Sequence, residues 1–384
     1  MSENIQRVCS INNRSDQELT VQSEKLNWGT LTGSVRRAVC GALVTVTAGL
    51  LLWQPAADAC TRVLWNNNKL SAVVVGRSMD WPESTEPVLT VLPRGMKRDG
   101  GRAGSEVVVG SNPAQWTSKY GSLVTTIYGM GTADGFNERG LGAHMLYLKD
   151  ADFGPRVASK PAVQAGLWAQ FLLDNAATVE EALALLNTVQ VVTVESHGHK
   201  ANVHLAIEDA SGDSAIIEYA NGGQIVHHGR ENRIMTNEPL YAVQLALLKE
   251  HDFSKPSSAT PLPGNVRPED RFQRAAYFAA LLPSKPKNER EAVAAVLAIV
   301  RNASVPFGAP YQGFGIYNTE YRTVTNLTNQ RYFFELTTSP NVFWANLPKF
   351  DLTPGAPVMI LNPDNIELSG DVTGKFQKAP TAPF

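Results

Sequence analysis

Cysteine is scarce in this chain of 384 residues, with only Cys9, Cys40 and Cys60. The segment after position 59 holds Cys60 alone, so it can build no internal disulfide framework. Net charge is also nearly absent, at −2 from 34 basic and 36 acidic side chains. That balance gives no electrostatic grip on nucleic acid or on an anionic membrane surface. After position 59 no apolar run is long enough to span a bilayer, so no membrane association is expected of that part. No internal repeat is present, and no glycine-rich loop stands between a strand and a helix to cradle phosphate. His197-Gly198-His199 and His227-His228 lack a carboxylate or cysteine at ligand spacing, so no metal is expected. No cofactor is implied either.

What is present begins with the first 59 residues. Arg36 and Arg37 precede an apolar run over 38–53, followed by Ala57-Asp58-Ala59, the small-x-small pattern that signal peptidase cuts after. The expectation is a signal peptide at 1–59, export to the periplasm, and a single domain at 60–384. The composition of the full chain, 43% hydrophobic and 18% charged, is that of an ordinary globular protein. Cleavage would make Cys60 the first residue, carrying a thiol and an α-amine together. That is a nucleophile with its own base attached. Cys60 could alternatively anchor a lipid on a periplasmic binding protein, but lipidation prefers a large aliphatic residue three positions earlier, where Ala57 stands.

Period-two patterns and turn residues predict strands at 61–65 and 71–76 around a turn at 66–69. Further strands are expected at 88–92, 106–109, 124–127, 142–148, 203–208, 215–219 and 224–228, with a hairpin of 319–326 and 330–336. Helical periodicity marks 161–175, 179–187, 240–249, 267–282 and 289–301. Thr178 and Glu181 form a capping-box pattern before the second of these. The segment 94–105 reads as an exposed glycine-rich loop, and the proline-rich tail after Pro354 as weakly ordered. Strands, a helix pair, strands, helices and strands fit two antiparallel sheets covered by helices better than strict β-α-β alternation.

A hydrolytic site on a terminal cysteine needs a thiolate, a group orienting the amine, oxyanion donors and a nearby cation. Thiols titrate near roughly 8.5 and α-amines near about 8, so both are poised around neutrality. Gly76-Arg77-Ser78-Met79-Asp80 supplies an arginine and an aspartate at the end of the second strand, which a hairpin returns to Cys60.

Several short motifs, taken in order, resemble those of the choloylglycine hydrolase family, which are N-terminal-nucleophile hydrolases. Cys60-Thr61 matches the mature start, and Gly76-Arg77-x-x-Asp80 the arginine and aspartate after it. Asp134-Gly135-Phe136-Asn137-Glu138-Arg139-Gly140-Leu141 is similar to the family's Asn-Glu-Lys-Gly-Leu turn, with arginine for lysine. Met235-Thr236-Asn237-Glu238-Pro239 resembles its Thr-Asn-x-Pro segment, and Asp270-Arg271-Phe272-Gln273-Arg274 its Ser-Arg-Phe-x-Arg helix.

The resemblance implies an α+β fold, an αββα four-layer sandwich. It implies Cys60 as nucleophile with its α-amine as base, Arg77 favouring the thiolate and Asp80 orienting the amine. Asn237 would serve the oxyanion, and Arg271 would complete the polar floor. Met145-Leu146-Tyr147 carries the Leu-Tyr of penicillin V acylases where bile-salt hydrolases have Leu-Asn. Trp81 and Tyr147 are then candidate substrate-binding residues, an aromatic rim for a flat or apolar acyl group. The long 94–105 loop and the export signal resemble the Gram-negative branch, whose members also cleave N-acyl homoserine lactones. The implied partner is a small N-acyl amide and the implied assembly a homotetramer. His144 is expected to pack without a chemical role.

Overall fold

The β-branched runs that follow Cys60 lie within one sheet, and a second set of runs forms another. A computed structural model describes residues 60–66, 72–196, 199–311, 315–316 and 318–384. The expected leader, most of the turn at 66–69 and the His197-Gly198 pair lie outside these described residues.

The first sheet has seven strands. Its order is Ile234–Thr236, Thr61–Trp65, Val74–Trp81, Asn318–Asn326, Arg331–Leu336, Phe343–Asn346 and Gly370–Asp371. All pairings are antiparallel except the last. The second sheet has nine strands, all antiparallel. It runs from Gly223–His228 through Ser214–Ala220, Val203–Glu208, Gly142–Tyr147, Gly131–Asn137 and Ser122–Ile127 to Val88–Leu92, Met359–Leu361 and Gln377–Lys378. Helices Pro268–Ala280 and Glu289–Asn302 pack on the first sheet, and Trp168–Asn175 on the second with Val179–Leu186 beside it. The layers are therefore α, β, β, α, as expected.

Sequence periodicity places the helices because their buried stripes are the apolar ones: Ala292, Val293, Val296, Leu297 and Val300 all face the sheet. Gly76 shows how tightly that face is fitted. A Cβ there would come within 2.8 Å of the Val296 and Val300 side chains, so the glycine of Gly-Arg-x-x-Asp lets the helix close on the strand.

Four expectations are corrected. The segment 161–175 is not one helix: Ala162–Gln164 is a strand paired in parallel with Gln190–Val192, then a 3-10 turn leads into Trp168–Asn175. The Gln164 side chain accepts a hydrogen bond from Gly166 N at 2.6 Å and caps that turn, so helix begins only after it. The 94–105 segment contains the Lys97–Asp99 strand, paired with Gln115–Thr117, and Arg98 is buried against Asp174 at 3.2 Å. Gly131–Asn137 is an interior strand, not part of a turn. The turn proper follows it, with Asn137 Oδ1 accepting from Arg139 N and Leu141 N and Gly140 at φ +84°. The tail after Pro354 is ordered, because Met359–Leu361 pairs with Val88–Leu92 and Gly370–Asp371 extends the other sheet. Pro354, Pro357 and Pro363 lie outside those strands, where no ladder donor is required of them.

Candidate active site

Cys60 lies at the start of the Thr61–Trp65 strand, and the hairpin register sets Thr61 opposite Ser78 and Arg62 opposite Arg77. Alternation along Val74–Trp81 sends Arg77 and Met79 to one face and Ser78 to the other. A register shift between Met79 and Asp80 then re-aims the strand end. The result is two groups of side chains around one cysteine.

On the inner side, Arg77 Nη2 stands 3.5 Å from Cys60 Sγ and donates to Met145 O at 3.3 Å, while Nη1 reaches the Tyr321 hydroxyl at 3.5 Å. Met79 Sδ is 3.9 Å from the same sulfur. Burial opposes the Arg77 charge, yet Tyr321, Cys60 and Asp134 outweigh it and hold the guanidinium firmly protonated. A buried cation touching the sulfur stabilises its anionic form.

On the helix side, Asn237 Oδ1 accepts from the Cys60 backbone nitrogen and from Arg271 Nη2 at 3.0 Å. Arg271 Nη1 donates to Cys60 O at 2.7 Å and to Thr61 Oγ1 at 2.6 Å, and lies 3.8 Å from Asp80 Oδ2. Asp80 also accepts from Ser78 Oγ at 3.1 Å and from the Thr319 hydroxyl. Burial pushes the Asp80 carboxyl up to about 6, against the pull of Arg271 and the Thr319 hydrogen bond. Asn237 Nδ2 commits one hydrogen to Tyr147 O at 2.9 Å. Its carbonyl side therefore faces the Cys60 nitrogen, an arrangement not legible in sequence.

Trp81 and Tyr147 meet edge to face, with ring centroids 5.9 Å apart. They line one pocket together with Cys60, and its other walls are mainly carbon: Met79, Ile127, Met145 and Val203 among them. Lys200 is the charged residue of the lining among the described residues. The structure thus gathers Cys60, Arg77, Asp80, Asn237, Arg271, Trp81 and Tyr147 around one point.

Sequence reasoning missed Met79, Thr319 and Tyr321. Met79 could have been found from its two-residue spacing to Arg77; the others depend on the pairing of Val74–Trp81 with Asn318–Asn326. The expectation for His144 also changes: it lies in a buried ion network, with Nε2 2.7 Å from Glu208 Oε1.

Two packed, largely antiparallel sheets between helices, with a cysteine at the start of one strand and a buried arginine on the next, define the class: an N-terminal-nucleophile hydrolase fold. The profile of linear amide C–N hydrolases, choloylglycine hydrolase family, matches residues 60–369. The chain belongs to that family and is an amidase/acylase. It is 36% identical over 380 residues to penicillin V acylase of Pectobacterium atrosepticum, covering 91% of this chain and 97% of that one. It superposes on the penicillin V acylase of Agrobacterium tumefaciens with TM-score 0.74 at 38% identity, over 83% of this chain and 98% of that chain. A mutant conjugated bile acid hydrolase from Clostridium perfringens shares the fold, with TM-score 0.65 at 21% identity over 81% and 98% of the two chains.

Proposed function

We propose that the chain is exported, cut before Cys60, and acts in the periplasm on N-acyl amides through an acyl-thioester on Cys60. Penicillin V and N-acyl homoserine lactones are the substrates this reading favours. The observation that carries it is the Arg77 guanidinium 3.5 Å from Cys60 Sγ at the wall of an apolar pocket. The α-amine takes the thiol proton and the thiolate attacks the acyl carbonyl. The tetrahedral oxyanion meets the second amide hydrogen of Asn237, whose Oδ1 holds the amine. Collapse breaks the C–N bond as the α-ammonium gives its proton to the leaving amine. Water, deprotonated by the same amine, then cleaves the thioester and releases the acid. Arg271 fixes Cys60 and Asn237 together, and Asp80 anchors Arg271 and Ser78 behind the amine.

Apolar walls and the Trp81–Tyr147 rim suit a phenoxyacetyl or alkyl acyl group. Processed protein should therefore turn over penicillin V and long-chain acyl homoserine lactones at least about tenfold faster than glycocholate, a difference of ~1.4 kcal/mol in transition-state binding. Equal or faster glycocholate hydrolysis would reverse the assignment in favour of bile-salt hydrolysis. Tyr147→Ala should change the ratio between the first two substrates while the unfolding midpoint stays in place. Mass spectrometry of the purified periplasmic protein should show an unmodified Cys60 terminus, whereas a diacylglyceryl adduct would sink the hydrolytic role. A homotetramer, readable by light scattering, completes the proposal.

The Asp80 environment adds a pH dependence. With its carboxyl near 6, proton uptake on acidification removes the anion opposite Arg271. The value of kcat/KM should fall as pH drops through about 6, or lower once the amine adds its own cation. In Asp80→Asn the step near 6 should vanish, leaving only the titration of the amine in an already slow enzyme. An unchanged limb would assign it elsewhere.

A further inference from the structure

Behind Arg77 runs a row of buried charges that the hydrolytic steps do not use. Arg62 Nη2 pairs with Glu208 Oε2, and Glu208 Oε1 lies 2.7 Å from His144 Nε2. His144 Nδ1 faces Asp134 Oδ1 at 3.4 Å, an ion-pair contact without an aligned hydrogen bond. Asp134 accepts from Thr323 Oγ1 at 2.5 Å and from the Tyr332 hydroxyl at 2.9 Å. Its field reaches Arg77, and Thr323 sits opposite Arg77 in the strand register. Every one of these side chains is buried.

The row alternates in sign: Arg62, Glu208, His144, Asp134, Arg77. With His144 protonated it carries one excess positive charge, which a thiolate on Cys60 neutralises. A buried guanidinium ordinarily takes the nearest carboxylate in a two-pronged pair. Among the described residues Arg77 has no carboxylate ion pair, and its Nε has no hydrogen-bond partner. Asp134 is close enough to be felt and is engaged elsewhere, by Thr323, Tyr332 and His144.

We propose that His144 is a positioning residue: as an imidazolium clamped between Glu208 and Asp134, it holds Asp134 away from Arg77 and leaves the guanidinium to the Cys60 sulfur. Burial alone would discharge His144, but the attraction of Glu208 and the contact with Asp134 prevail and lift its pKa to about 9. Gly142 serves the same arrangement. A Cβ at that position would fall 2.1 Å from Glu208 Oε1, so only glycine leaves the carboxylate its place against His144. This inference rests on Cys60 being the attacking thiolate, and its test reads the thiol without requiring amide turnover.

The test measures the pH dependence of iodoacetamide alkylation of Cys60 in processed protein. His144→Gln releases Asp134 toward Arg77 and should raise the thiol pKa by about 1, a tenfold loss of thiolate below it. Asp134→Asn removes the competing anion and should lower the thiol pKa, and Gly142→Ala should act in the direction of His144→Gln. A merely structural role gives shifts of one sign, or none, across the three variants, and either result overturns the proposal. Nitrogen chemical shifts of the His144 ring in the unsubstituted protein decide the matter independently of how the variants fold. Both ring nitrogens should be protonated at pH 7.5, and a neutral ring there would refute the clamp. If alkylation follows the expected signs while no amide is cleaved, the clamp stands and the substrate reading fails.

Discussion

Cys60→Ala should lower amide hydrolysis by at least about a thousandfold, with the fold intact. The expectation follows from position: no other cysteine exists after position 59, and Arg77 is directed at this sulfur. The substitution removes one sulfur from a site whose other polar contacts run through backbone atoms. Asn237 Oδ1 receives the backbone nitrogen, and Arg271 donates to the backbone oxygen at 2.7 Å. Circular dichroism and the thermal midpoint should therefore match the unsubstituted protein while initial rates on penicillin V collapse. Retention of more than a few per cent of the rate would place the nucleophile elsewhere.

A chain that retains Ala59 should also lose nearly all of its activity, although every side chain of the site is present. An amide nitrogen has its lone pair delocalised into the carbonyl and cannot take the thiol proton. Asn237 Oδ1 would still accept its N–H, so the site would keep its geometry and lose its base. Two preparations differing by this one residue, one beginning at Cys60 and one at Ala59, make the comparison direct. The extended form should fall by roughly a hundredfold or more, within the range general-base removal produces. Comparable rates would show that another group serves as base and would remove the reason for cleavage at this point.

Much of the architecture was legible because it depends on local alternation. The hairpin from Cys60 to Asp80, the Asn318–Asn326 and Arg331–Leu336 pair, and the helices Pro268–Ala280 and Glu289–Asn302 all follow from residue order. The failures share a cause. Gly131–Asn137 has too few β-branched residues to read as a strand, yet it is held between two strands that supply its ladder. Met359–Leu361 needed an unpaired edge to dock on, and only the folded second sheet provides one. Val163 carries helical spacing but joins a strand, because Gln164 caps the turn after it.

The sequence by itself singled out the candidate nucleophile and the motif residues around it, since a lone cysteine behind a cleavage pattern and Gly-Arg-x-x-Asp are statements about order along the chain. Only the tertiary structure decided what each does to the next. That Asn237 turns its carbonyl to the Cys60 nitrogen, that burial lifts Asp80, and that His144 stands between two carboxylates depend on strands distant in sequence being brought together. Electrostatic strength is set by distance and by exclusion of water, and neither is written in residue order.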